Sequence, residues 1–365
     1  MNKENSPLSE QVAKLIRPEI QALSSYHVPD ASGMIKLDAM ENPYSWTEEL
    51  VAQWLDTLRQ AELNRYPDAA ASRLKQQLRL SMAVPEDAAI LLGNGSDEII
   101  QMIMLALAAA GRVVLSVEPG FVMYNMIATF TGMQYVGVPL QDDFSLQRQA
   151  MLAAIRQHRP AVIFLAYPNN PTGNLFARSD IEAVIAAAPG LVVIDEAYHA
   201  FAGDSFMSQL GAYDNLLVMR TVSKMGLAGL RLGLLAGHPQ WLNEFDKVRL
   251  PYNINVLTQL SAEFALQHHA VLDAQTEAIK KDRQTLFREL QKFDGLTVYP
   301  SDANFILFRV PAGRADAIFA GLKAEKVLIK NLHKAGGMLQ DCLRVTVGKP
   351  QENAAFLSAL KKVLA

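Results

Sequence analysis

Cysteine is almost missing from this chain of 365 residues: Cys342 stands alone. No internal disulfide can form, and a lone thiol fits a reducing compartment. Charge of one sign is scarce too. The formal net charge is −3, which leaves no basic footprint for nucleic acid. Apolar runs are too short to span a bilayer. The most apolar helical stretch, Ile99 to Ala110, contains Gln101 and opens on Asp97-Glu98, so it reads as a buried helix. The stretch Met1 to Pro7 has no apolar signal core, and the expectation is a soluble, cytoplasmic protein. Internal repeats and low-complexity segments are absent. No G-x-G-x-x-G joins a first strand to a helix, which argues against a nicotinamide-dependent dehydrogenase.

What is present is ordinary globular material, half hydrophobic and 19% charged, in a chain long enough for two domains. Residues 1–40 carry several breakers and read as an arm with one short helix near Ser9–Leu15. From about residue 90 the pattern becomes strand, loop, helix, repeated. The β-rich runs are Ala89–Leu92, Arg112–Val117, Gln134–Val138, Ala161–Ala166, Leu191–Ile194, Leu216–Met219 and Leu232–Ala236. That alternation predicts an α/β fold, a mostly parallel sheet flanked by helices. Beyond Pro251 a long helical tract over 256–293 leads into the strands Leu296–Tyr299, Phe305–Arg309, Val327–Lys330 and Leu343–Val347. The expected division is therefore an arm (1–40), a large domain (41–255) and a smaller α+β domain (256–365).

Three strand ends carry the chemistry. One leads into Tyr167-Pro168-Asn169-Asn170-Pro171-Thr172-Gly173, the next into Asp195-Glu196-Ala197-Tyr198, the third into Thr221-Val222-Ser223-Lys224 and a glycine-rich loop. In a parallel sheet these ends share one edge, where open α/β sheets bind ligands. Taken singly, they are a turn, a helix cap, a core tyrosine and a surface lysine. Together they suit pyridoxal-phosphate catalysis. Lys224 supplies the amine for a Schiff base and then shuttles a proton. Asp195 keeps the pyridine nitrogen protonated. Asn170 and Tyr198 can hydrogen-bond the ring hydroxyl, and Phe121 can stack on the ring face. Gly95-Ser96-Asp97 opens a helix whose free N–H groups favour a phosphate. Asp97 is expected to cap that helix with its side chain instead of facing the phosphate. Thr221, Ser223 and Arg231 can close the site, Arg231 by charge-assisted bonds.

The set NNPTG, DEAY and SK followed by GLAGLRLG resembles the fold type I pyridoxal-phosphate aminotransferases, and among them the histidinol-phosphate aminotransferases. The likeness runs from LDAMENP and NRYPD through GNGSDE to LRVTVG. It implies transamination between histidinol phosphate and 2-oxoglutarate in histidine synthesis, and a homodimer with sites at the subunit interface. Tyr66 would reach the partner's cofactor phosphate, Arg344 would grip the anionic end of the substrate, and Tyr26 would lie near the substrate phosphate. Lys330 stands where many relatives have arginine, which keeps the charge but loses the bidentate fork. Some relatives also have one more residue between the Schiff-base lysine and GLAGLR. Rival readings are an aromatic or broad-range aminotransferase, a threonine-phosphate decarboxylase, and a pyridoxal-phosphate-binding regulator. The N-terminal 40 residues offer no helix-turn-helix for the last.

Overall fold

The structure, a computed structural model, describes residues 7–25 and 28–364; Tyr26 lies outside the described residues. A two-residue strand β1 (Ile35–Lys36) precedes seven strands of one sheet: β2 (Ala89–Asn94), β3 (Val113–Glu118), β4 (Gln134–Pro139), β5 (Val162–Ala166), β6 (Leu191–Asp195), β7 (Leu216–Thr221) and β8 (Leu232–Gly237). Their order across the sheet is β2-β8-β7-β6-β5-β3-β4. Strands β7, β6, β5, β3 and β4 pair in parallel, while β8 runs antiparallel to both its neighbours.

Parallel strands are covered on both faces, so their apolar residues run without interruption. Alternate residues point to opposite sides. Ile163, Leu165, Val192, Ile194 and Val218 belong to one apolar core. Val162, Phe164, Val193, Leu217 and Met219 belong to another, with Ile99, Ile100 and Ile103 of the helix Ser96–Leu107. The sheet is thus buried from both sides and its carboxyl edge is held rigid.

A second unit follows: β9 (Thr297–Val298), β10 (Phe305–Arg309), β11 (Val327–Leu328), β12 (Lys330–Asn331) and β13 (Cys342–Thr346). Strands β12-β13-β10-β9 form an antiparallel sheet over a core that includes Phe305, Phe308, Leu343, Val345 and Phe356. The single strand expected over Val327–Lys330 is split at Ile329. Its first half pairs with β1, its second with β13. One chain segment therefore serves two sheets, and the split puts Lys330 directly opposite Arg344.

The helical tract expected over 256–293 is also divided, into helices Val256–Gln267 and His269–Leu290. No proline or glycine marks the break. His268 Nδ1 lies 2.9 Å from the Phe264 carbonyl, and its ring packs on Phe264 with centroids 4.3 Å apart. The side chain shares that carbonyl with the His268 backbone N–H, 3.3 Å away. The helix Val256–Gln267 packs on helices Glu48–Leu58 and Ser72–Ser81, and Trp54 Nε1 donates to Ser261 Oγ at 2.9 Å.

Behind the strand ends sits a buried ion pair. Glu196 accepts from Arg220 Nη2 at 2.7 Å and Nε at 2.9 Å, from the Phe206 N–H at 2.6 Å, and from Ser205 Oγ. Arg220 Nη1 donates to the Met82 carbonyl at 2.8 Å. Removing one partner strands a charge in the interior, which costs about 3–5 kcal/mol. Arg220→Met is accordingly expected to lower the unfolding free energy by that amount in urea denaturation. A loss below about 1 kcal/mol would show that the pair does not brace the strand ends.

Candidate active site

The three strand ends meet as expected. Asp195 is the last residue of β6, in register with Ala166 of β5 and Met219 of β7. Lys224 follows β7 in a short 3-10 turn, Ser223–Met225. A cavity of about 380 Å³ opens between them, lined by Lys224, Asp195, Asn170, Tyr198, Phe121, Ser96, Asp97, Thr221, Ser223 and Arg231 among others. Ten of the residues singled out from the sequence thus share one chamber, of a size usual for small-ligand sites.

Asp195 is buried, 3% exposed. Tyr124 Oη donates to its Oδ2 at 2.8 Å, and the Ala197 N–H donates to its Oδ1 at 3.1 Å. Burial raises its pKa to about 7, and the tyrosine hydrogen bond opposes that rise. A carboxylate that burial holds back from ionising fits a pyridinium nitrogen. Asn170 Nδ2 donates to Tyr198 Oη at 3.1 Å, and Asn170 Oδ1 accepts from Arg344 Nη1 at 2.6 Å. Arg344 Nη2 reaches the Asp38 carbonyl at 3.2 Å, and its guanidinium lies 5.1 Å over the Phe305 ring.

Lys224 Nζ donates to the Ala39 carbonyl at 3.4 Å and lies 5.9 Å from the Tyr198 ring centroid. Burial, and then the Arg344 charge, bring its pKa down to about 8. A neutral amine is therefore within reach at ordinary pH, as a carbonyl nucleophile requires.

The anion cradle is built from close backbone approaches. Gly95, at φ +81°, precedes the helix Ser96–Leu107, and a Cβ there would lie 2.6 Å from Arg231 Nη2. A Cβ on Gly233 of β8 would lie 2.7 Å from the Gly95 carbonyl carbon and 2.8 Å from Ser96 N. Only glycine permits both contacts. Thr221 Oγ1 donates to the Leu232 carbonyl at 2.9 Å and accepts from Ser223 N–H at 3.1 Å, which orients Ser223 toward the chamber. The expected role of Asp97 as a side-chain cap is corrected here. Gly95 is the N-cap and no side chain caps the helix. Asp97 instead lines the cavity, its Oδ2 3.6 Å from Arg231 Nη2. With glycine in that conformation at the cap, its carboxylate is left to pair with Arg231.

Tyr66 stands apart from this chamber. It is 80% exposed and stacks on Tyr252, ring centroids 4.4 Å apart. Arg344 and Lys330 line a second cavity of about 700 Å³, which shares Met40, Phe121 and Asn170 with the first. Glu118, Asn125 and Tyr135 are also on its wall. Tyr124 was missed by sequence reasoning. It sits at the second position of the helix Met123–Thr131, and only its place three residues after Phe121 hints that it turns back to the sheet. Among the described residues no group of side chains suits a metal ion.

Residues 32–360 match the model of a family described as aminotransferase class I and II. A histidinol-phosphate aminotransferase of Nitrosococcus oceani is 60% identical over 352 residues, covering 96% of this chain and 98% of that one. One from Chromobacterium violaceum is 53% identical over 351 residues, covering 96% and 98%. The structure of the histidinol-phosphate aminotransferase of Sinorhizobium meliloti in complex with pyridoxal-5'-phosphate superposes with a TM-score of 0.86. It is 26% identical and covers 96% of this chain and 97% of that one.

The depressed lysine has a measurable consequence. The neutral amine is the reactive form, and its fraction rises as pH passes the pKa. In cofactor-free protein the rate of reaction with free pyridoxal should climb with a midpoint near 8 and vanish in Lys224→Ala. A midpoint close to the ordinary lysine value, about 10.4, would mean that burial does not activate this amine.

Proposed function

This chain belongs to the aminotransferase class I and II family, and from that membership we propose that it transfers the amino group of histidinol phosphate to 2-oxoglutarate, giving imidazole-acetol phosphate and glutamate in histidine biosynthesis. The cofactor is pyridoxal 5'-phosphate. Its fit rests on the buried carboxylate of Asp195, the glycine-lined anion cradle and the activated amine, all on one chamber.

When bound, the cofactor supplies a cationic ring that draws electrons from the substrate α-carbon. The protein's residues then divide the remaining tasks. Lys224 Nζ would hold the cofactor by its aldehyde carbon and, when free, would carry the proton from the substrate α-carbon to that cofactor carbon. Asp195 would hold the proton on the ring nitrogen. Asn170 and Tyr198 would hydrogen-bond the ring oxygen, and Phe121 would cover one ring face. The N–H groups after Gly95, with Ser96, Thr221, Ser223 and Arg231, would take the cofactor phosphate. Asp97 answers the Arg231 charge.

The substrate assignment rests on one observation. Lys330 and Arg344 stand directly opposite each other in antiparallel register and line the same cavity beside the cofactor chamber. Two cations on one cavity wall suit an anionic group bound there. A substrate carrying a phosphate suits two cations better than a purely aromatic amino acid does. Tyr26 is proposed to approach the same phosphate by resemblance alone.

The proposal extends to assembly. Tyr66, with the exposed Leu63, Leu250 and Leu257, supports a homodimer in which Tyr66 contacts the partner's cofactor phosphate. We also place the small domain's start near His268 instead of 256, because the preceding helix packs on helices of the large domain. The lone free Cys342 is consistent with the cytoplasm.

Purified protein supplied with histidinol phosphate and 2-oxoglutarate should release glutamate. No turnover, together with good turnover of phenylalanine, would reject the substrate; release of carbon dioxide from threonine phosphate, supplied in place of histidinol phosphate, would point to a decarboxylase.

A further inference from the structure

Tyr124 is a buried phenol aimed at the one carboxylate the cofactor ring needs. It is 1% exposed, and its hydroxyl lies 2.8 Å from Asp195 Oδ2. Its ring is held on two sides. It stacks on Phe164 with centroids 4.9 Å apart and planes 19° apart, and it meets Phe121 edge-on at 5.5 Å and 85°. Packing alone would be served by phenylalanine, and a buried hydroxyl costs stability unless it is hydrogen-bonded. Here the bond goes to a carboxylate, which makes it charge-assisted. The Ala197 N–H takes the other oxygen, so the two donors fix the plane of the carboxyl group.

We propose that Tyr124 is a positioning residue for the reaction: its hydroxyl holds Asp195 Oδ2, sets the carboxylate plane against the cofactor ring nitrogen, and keeps the shared proton on that nitrogen. The inference rests on the reading of Asp195 as the ring's counter-ion. A donor to the carboxylate stabilises its anionic form and lowers its appetite for the proton. Without that donor the proton moves toward Asp195, and the ring draws electrons less well. Phe121 touches the same phenol, so the ring-stacking aromatic and the counter-ion are held by one side chain.

The test uses cofactor-loaded enzyme carrying an isotope label at the ring nitrogen, followed by nitrogen NMR alongside steady-state kinetics. Tyr124→Phe should move the ring-nitrogen signal toward that of unprotonated pyridine and lower kcat about tenfold or more, the lower end of what a hydrogen bond to a charged group supplies. KM for 2-oxoglutarate should stay nearly unchanged. A ring-fluorinated tyrosine at 124, a stronger donor, should move the signal the opposite way, which a loosened core would not do; it decides the matter alone if Tyr124→Phe fails to fold. Asp195→Asn should move the signal at least as far and cut turnover by several orders of magnitude, with no further shift on adding Tyr124→Phe. An unmoved signal in Tyr124→Phe, or the same direction for both replacements, overturns the proposal. An unmoved signal in Asp195→Asn would instead overturn the role of Asp195.

Discussion

A carboxylate buried at the tip of a strand, with hydrogen-bond donors on both oxygens and no basic side chain paired with it among the described residues, is the constraint on which this molecule turns. Asp195 owes its raised pKa to burial, and burial follows from the sheet. Its neighbour β5 is apolar throughout, β7 is apolar up to Met219, and both are buried along their length. Such a site is costly when empty and gains most from a cation held in one place. The same parallel edge carries Asn170 and Lys224, so the fold that isolates the carboxylate also places the amine and amide around it.

The second sheet braces the chamber from behind its lining. Arg344 reaches from β13 to Asn170 Oδ1. The segment after β1 is tied to the same sheet: the Thr346 N–H donates to the Leu37 carbonyl, Thr346 Oγ1 accepts from the Met40 N–H, and Asn304 Nδ2 donates to the Met40 carbonyl. Ala39 in that segment offers the carbonyl that Lys224 Nζ meets. The amine, the amide and Arg344 are therefore joined across the two sheets by short, named contacts. A shift of the small sheet would be felt at Lys224.

Much of this was legible in the chain. The seven strands of the main sheet lie within two residues of where apolar runs and glycine-rich turns place them. Asn170, Asp195, Tyr198 and Lys224 share a cavity because strand ends in a parallel sheet share an edge. Other features lay beyond local reading. At the break at His268 a side chain shares the Phe264 carbonyl with its own backbone N–H, and no helix-breaking residue announces it. The split at Ile329 depends on which sheet each half joins. Asp97 faces the cavity because Gly95 takes the cap in a left-handed conformation, whereas aspartate at a helix start ordinarily signals a cap. Tyr124 escaped notice because a tyrosine in an apolar helix reads as core, and core is also what it is.

The central claim is that one amine, that of Lys224, faces the ring held by Asp195 and Asn170. Borohydride reduction of cofactor-loaded enzyme, followed by peptide mass mapping, tests it most directly. The reduced cofactor should be found on Lys224 and on no other lysine. Recovery of the label on a different lysine would contradict the account.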